Sequence, residues 1–194
     1  MINILSRCQN LVGIISNKVH QQMLNRHDLK GLKLTNLVHL AAVGFGSGLA
    51  PKAPGTFGSV AAIPFFYLLA MLSIEGYIAV LAMTSLLGFW FCHVTSAAMG
   101  VHDHKAIVWD EFVGIWVTML PVLQLYSEVN NPFDIPFMWI VAGFVLFRFF
   151  DVLKPFPISW LDKKVEGGFG IMIDDIVAGI FAAIILFFMI QYWG

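Results

Sequence analysis

From Leu37 onward, long apolar runs alternate with short polar stretches into which most of the charges are crowded. Five runs are candidates for membrane-embedded helices: Ser59 to Ile74, Gly76 to Met99, Phe112 to Leu125, Phe137 to Phe150, and Ile176 to Trp193. A spanning helix usually needs ~20 residues, so the third and fourth are expected to tilt, extend into their flanks or sit only partly embedded. A further run, Leu37 to Leu49, is broken by Gly44, Gly46 and Gly48 and resembles a re-entrant or interfacial element more than a span. Ahead of it, Leu5, Cys8, Val12, Ile15, Val19 and Met23 recur at helical spacing, as in an amphipathic helix lying on a membrane face. The expected fold class is all-α: a polytopic helical membrane protein with about five embedded helices. An N-terminal amphipathic or juxtamembrane segment over 1–36 precedes one membrane-embedded domain over 37–194.

Composition agrees with this pattern. The 194 residues are 59% hydrophobic and 12% charged, with a mean hydropathy of +0.81, far from the roughly 45–50% apolar and about 25% charged of soluble domains. Charge then orients the runs. Residues 1–36 carry Arg7, Lys18, Arg26, Lys30 and Lys33 against the single acid Asp28, which places the N-terminus in the cytoplasm. If all five runs cross, every loop with Lys or Arg falls on that side, and the opposite loops, around Glu75 and from Tyr126 to Pro136, contain neither. Leu11 to Ile15 is too short for a signal-peptide core. Cys8 and Cys92 form no metal or redox pair and are expected to be structural.

Four polar clusters emerge on the cytoplasmic face in this topology. The first, Gly44 to Ser59, combines glycines, Lys52 and a helix start after Gly58, features that suit an anion, although small-residue packing and a Pro-Gly turn would produce a similar pattern. The second, His102 to Glu111, ends on Asp110 and Glu111 before an apolar run. One acid suits a helix N-terminus; two adjacent carboxylates repel unless a cation lies between them and something opposite. His102 and His104 are expected to be solvated or to touch headgroups, since the loop lacks the nitrogen and sulfur donors of a zinc site, and His39 and His93 to be hydrogen-bonded between packed helices. In the third cluster Arg148, Asp151 and Lys154 recur every three residues before Pro155 ends the helix, so Arg148 and Asp151 share a face. An Arg148–Asp151 ion pair is the plain structural reading, and phosphate gripped by Arg148 the functional one. The fourth runs through a glycine stretch from Gly167 to the paired acids Asp174 and Asp175. Two acid doublets plus Asp151 on one face make five carboxylates, an oxygen-rich set suited to magnesium.

The stretches GFGSGLAPKAPGTFGS, VHDHKAIVWDEFVGIW, FRFFDVLKPFPISWLD and GGFGIMIDDIVAGI, in that order, closely resemble the phosphatidylglycerophosphatase A family of bacterial membrane lipid phosphatases. The resemblance covers roughly Leu37 to Gly194. It implies magnesium-dependent removal of the terminal phosphate from phosphatidylglycerophosphate, giving phosphatidylglycerol and inorganic phosphate, in the bacterial cytoplasmic membrane. Its charged motif positions fall here on Lys52, Thr56, Asp110, Glu111, Arg148, Asp151, Lys154, Asp174 and Asp175.

Sorted by charge, Asp110, Glu111, Asp151, Asp174 and Asp175 are the expected catalytic magnesium ligands. Lys52, Thr56, Arg148 and Lys154 are the expected phosphate ligands, and a metal-activated water is the expected nucleophile. The motifs of aspartyl-phosphate, cysteine-based and histidine-based phosphatases are absent from the sequence. Membrane lipid, and no nucleic acid, is the expected partner. Two other classes compete. A small transporter or ion pathway would place acids at mid-depth within its helices. A scaffold would tolerate substitution of Asp174 or Asp175 by Asn.

Overall fold

The computed structural model describes residues 29–101, 103–126, 131–165 and 167–193. The proposed amphipathic helix of residues 5–23 lies outside them. Lys33–Gly194 forms a unit separate from the chain before it, and among the described residues the regular structure is entirely helical. In chain order the α-helices are α1 (Leu37–Ala42), α2 (Pro54–Leu69), α3 (Ile74–Met99), α4 (Trp109–Thr118), α5 (Leu120–Leu125), α6 (Phe137–Leu153), α7 (Ile158–Lys164) and α8 (Gly167–Trp193).

Each apolar run became a helix or a helix pair. Two helices, α3 with 26 residues and α8 with 27, are long and apolar enough to cross a membrane. The third run is divided: Met119 links α4, ten residues, to α5, six. At ~1.5 Å per residue α4 is about 15 Å long, half a bilayer core. It is instead the centre of the protein. All ten of its residues are buried, and it packs against α2, α3, α6 and α8.

Indole and phenol groups hold α4 in that place. Trp116 Nε1 donates to the Ala62 carbonyl at 3.0 Å, Trp109 Nε1 to that of Thr84 at 3.1 Å, and Tyr77 Oη to that of Trp116 at 2.8 Å. A buried aromatic with a polar tip needs such a partner, so these three bonds fix the helix against α2 and α3. The outer faces are apolar as well. On α6, Met138, Val141, Val145, Phe149 and Val152 form an exposed stripe at three- and four-residue spacing, a surface suited to acyl chains rather than water.

The glycine-broken segment before α2 is compact. After α1 the chain makes 3-10 turns over Gly44–Leu49, with Phe45 at φ 55 and Gly46 at φ 101. A side chain on Gly48 would strike the Ala106 carbonyl, and Ala42 accepts from Val108 N at 2.9 Å. These glycines serve close backbone packing against the loop that leads into α4.

Candidate functional site

Two helix starts lie earlier than the apolar pattern indicates, and both shifts bring polar groups inward. Helix α2 begins at Pro54, not after Gly58. The last begins at Gly167, so Asp174 and Asp175 stand about two turns inside α8 rather than ahead of it. The glycines of that stretch are packing contacts, not a flexible loop. A side chain on Gly168 would collide with the Phe89 carbonyl, and one on Gly170 with that of Val165.

The start of α2, the loop before α4, the start of α4, the end of α6 and the first turns of α8 enclose a cavity of about 330 Å³. Its wall includes the carboxylates of Asp103, Asp110, Glu111, Asp151, Asp174 and Asp175 and the cations Lys105, Arg148 and Lys154, a formal surplus of three negative charges. At its centre, carboxylate oxygens of Asp110, Glu111 and Asp175 all lie within 4.8 Å of one another. Asp151 adjoins Asp175 and Glu111.

Glycines bring these charges together. A side chain on Gly114 would hit Phe147 and approach the Asp175 carbonyl, and one on Gly179 would come within 2.6 Å of the Gly114 carbonyl. Gly114 stands one turn beyond Asp110 and Gly179 one turn beyond Asp175, so α4 and α8 meet backbone to backbone just below the carboxylates. Gly55 acts likewise at the start of α2: a Cβ there would run into the Glu111 carboxylate and lie 3.2 Å from Arg148 Nη1.

The carboxylates are incompletely satisfied. Asp110 Oδ1, Glu111 Oε2 and Asp174 Oδ1 are buried and find no hydrogen-bond partner among the described residues. Burial, followed by the charge of Glu111, raises the Asp110 carboxyl well above its ordinary value. Burial also pushes Glu111 up to about 8. Converging buried oxygens that lack donors fit a hard cation, which takes oxygen ligands and neutralises them. Among the described residues the convergent group holds carboxylates alone, the oxygen donor set that a hard cation takes.

Two of the three cations are already paired. Arg148 forms an ion pair with Asp151 one turn away. Lys154, in the left-handed conformation that ends α6, donates to Asp162 at 2.5 Å and Asp174 at 2.6 Å. These hydrogen bonds raise the Lys154 ammonium above its ordinary value against the lowering effect of burial. Lys105 is exposed on the cavity wall.

Seven of the nine expected site residues therefore meet in one cavity. Lys52 and Thr56 are not in its wall: Lys52 is exposed and Thr56 half-buried, and the first cluster contributes Ala53, Pro54 and Gly55 instead. Asp103 and Lys105 were not expected as site residues, nor was Asp162 as a partner of Lys154. The charged loop containing the first two was the available signal. His104, expected to be solvated, is buried at 7% exposure, and its Nδ1 accepts from Ala106 N at 3.1 Å, shaping the turn that presents Lys105. His102 lies outside the described residues. His39 is buried and hydrogen-bonded as expected, but to the segment ahead of its own helix rather than to a packed helix: its Nδ1 accepts from Lys33 N at 3.0 Å.

Comparison with known proteins bears on the same residues. The profile of the family described as phosphatidylglycerophosphatase A matches residues 40–190. A phosphatidylglycerophosphatase A of Escherichia coli strain K12 is 50% identical over 162 residues, 84% of this chain and 88% of that protein. One of Haemophilus influenzae is 49% identical over 172 residues, 88% of this chain and 99% of that protein. No solved structure matches.

Proposed function

Because the chain belongs to the phosphatidylglycerophosphatase A family, we propose that its charged cavity removes the terminal phosphate from phosphatidylglycerophosphate, releasing phosphatidylglycerol and inorganic phosphate. The observation that carries the reading is the group of three central carboxylates with orphaned buried oxygens, opening into a cavity that also holds Arg148 and Lys105. Asp110, Glu111 and Asp175, with Asp151 and Asp174 beside them, would hold magnesium. When bound, this ion supplies positive charge for the phosphoryl oxygens and lowers the pKa of a water.

The chain's own groups do the remaining work. The first amides of α2 and the positive end of its dipole favour the anionic phosphate at the Ala53–Gly55 wall. Arg148, held in orientation by Asp151, offers its other guanidinium hydrogens to phosphate oxygens. Lys154 keeps Asp162 and Asp174 in place while leaving its charge at the cavity edge. Lys105, on the exposed part of the wall, meets the incoming headgroup. A carboxylate, Asp151 or Glu111, takes the proton from the attacking water as its oxygen bonds to phosphorus, and gives a proton to the glycerol oxygen as the ester P–O bond breaks.

The proposed setting is the bacterial cytoplasmic membrane, with the cavity on the cytoplasmic side. In this arrangement α2, α3, the α4–α5 pair with its Phe112–Leu125 run, α6 and α8 make five passes. The shared cavity at the start of α2, the loop between α3 and α4, the start of α4, the end of α6 and the first turns of α8 supports that alternation. Packing also argues against a conducting path: beyond Asp175, α4 and α8 meet through Gly114 and Gly179, and Thr118 Oγ1 of α4 donates across to the Gly179 carbonyl of α8 at 3.4 Å.

The test is phosphate release from phosphatidylglycerophosphate by purified protein, with and without a chelator. Release that stops on chelation and returns with magnesium is expected. Full activity under chelation removes the metal reading, and no release from any phosphomonoester lipid removes the phosphatase reading.

A further inference from the structure

Where α6 ends, an apolar surface gives way to a basic one. Val152 and Leu153 close the helix with both side chains exposed, and Phe156, in the turn that follows, is 79% exposed. Helix α7 carries the surface on through Trp160, also exposed, to Lys163 and Lys164, which are exposed in turn. A phenyl ring and an indole left open beside each other make a poor surface for water. The same sequence of groups suits the headgroup layer of a bilayer, where aromatic rings lie between acyl chains and water and lysines extend toward phosphates.

The packing of α7 decides which of its groups face outward. Ile158 is fully buried, and Asp162, the one acid in the helix, accepts from Lys154 Nζ at 2.5 Å. The acid is therefore committed to the end of α6. The two lysines are not, for among the described residues neither forms an ion pair. Lys164 Nζ lies 5.5 Å from the centre of the Trp160 ring, a cation–π contact that keeps the ammonium beside the indole and leaves its hydrogens for an acceptor. Neither lysine lines the charged cavity.

We propose that the outer face of α7 is a binding surface for anionic phospholipid of the inner leaflet, distinct from the cavity that takes the substrate. Lys163 and Lys164 meet the headgroup phosphates, Trp160 and Phe156 lie at the level of the glycerol esters, and the acyl chains run against the exposed apolar side chains of α6. Charge complementarity selects the occupant: two cations next to an apolar surface match a lipid that joins a phosphate to hydrocarbon. A protein partner is a poorer match, since a stable interface takes roughly 20 residues a side. The inference rests on the membrane setting proposed above and not on the reaction.

The test reads Trp160 in the purified full-length protein, reconstituted in phosphatidylcholine vesicles that contain brominated phosphatidylglycerol or, at equal mole fraction, brominated phosphatidylcholine. Trp160 is one of six tryptophans, so its signal is the difference between the wild type and Trp160→Phe. The brominated anionic lipid should quench it more strongly, with about fivefold enrichment for each lysine that meets the headgroup. In the Lys163→Gln/Lys164→Gln background the two lipids should quench equally. All of these side chains are exposed, so the variants should keep the wild-type helical circular dichroism, which checks folding separately. Equal quenching by the two lipids in the wild type overturns the proposal, as does a preference that survives loss of both lysines. Absence of quenching by either lipid overturns it as well, by leaving α7 in water.

Discussion

The helices leave a cavity at each end of the protein, of similar size and opposite character. One, of about 330 Å³, has nine ionisable side chains of Asp, Glu, Lys and Arg in its wall. The other, of about 270 Å³, lies between the end of α2, the start of α3, the end of α5 and the approach to α6, and among the described residues Glu75 is its one such group. Glu75 belongs to the first turn of α3, where Ser73 Oγ accepts from Gly76 N at 3.2 Å. An acid there complements a helix dipole and needs no other purpose. In the charged cavity, by contrast, Asp174 and Asp175 lie two turns inside α8, where the dipole gives little return. Volume therefore does not distinguish the ends; carboxylates placed where local helix energetics do not ask for them do.

The largest test of that contrast is substitution of acids at both ends. Asp175→Asn and Glu111→Gln should each lower phosphate release by about a thousandfold, the scale of losing an electrostatic group from a catalytic centre. Glu75→Gln should stay within about twofold of wild type. A similar loss for all three would erase the difference between the cavities. A smaller effect separates them through protons. Burial holds the metal-free Glu111 carboxyl at about 8, so below that pH a proton must leave before a cation can bind. Manganese affinity should fall about tenfold per pH unit for each proton displaced as the pH drops from 8 toward 6, measured by titration calorimetry; a flat profile would mean that Glu111 is not a ligand. The smallest effect is expected at the exposed wall. Lys105→Met should raise KM for the lipid severalfold at nearly constant kcat, as loss of a charge that meets the headgroup without entering the reaction. An unchanged KM would move Lys105 out of the binding surface.

How much of this was legible in the sequence depended on the kind of signal. Apolar runs and paired acids read directly, because exclusion from water and charge repulsion act locally, and Asp110, Glu111, Asp174 and Asp175 were found that way. The Arg148–Asp151 pair was equally readable, being one turn of a single helix. Helix starts were not, since Gly167 to Gly170 look like a loop until the neighbouring Phe89 carbonyl demands a residue without a side chain. The burial of α4 was hidden for a related reason. Its composition suits lipid or protein interior equally, and only the hydrogen bonds from Trp109 and Trp116 to distant carbonyls choose between them. The place of Lys52 was not readable, because a cation in a glycine-rich stretch resembles a phosphate loop, whereas the fold turns the backbone at Ala53–Gly55 toward the cavity and leaves Lys52 exposed beside it. The salt link from Asp162 to Lys154 joins α7 to the end of α6 across eight residues and a cis Phe156–Pro157 bond, a turn that no periodicity describes.

Gly114 and Gly179 let two main chains touch one turn away from the central acids. The gap between the central acids is thereby gauged by bare backbone rather than by the carboxylates themselves. The width of one methyl, added at either glycine, would pry apart carboxylates it never touches, so the fit of the proposed ion would rest in part on two residues with no chemistry of their own.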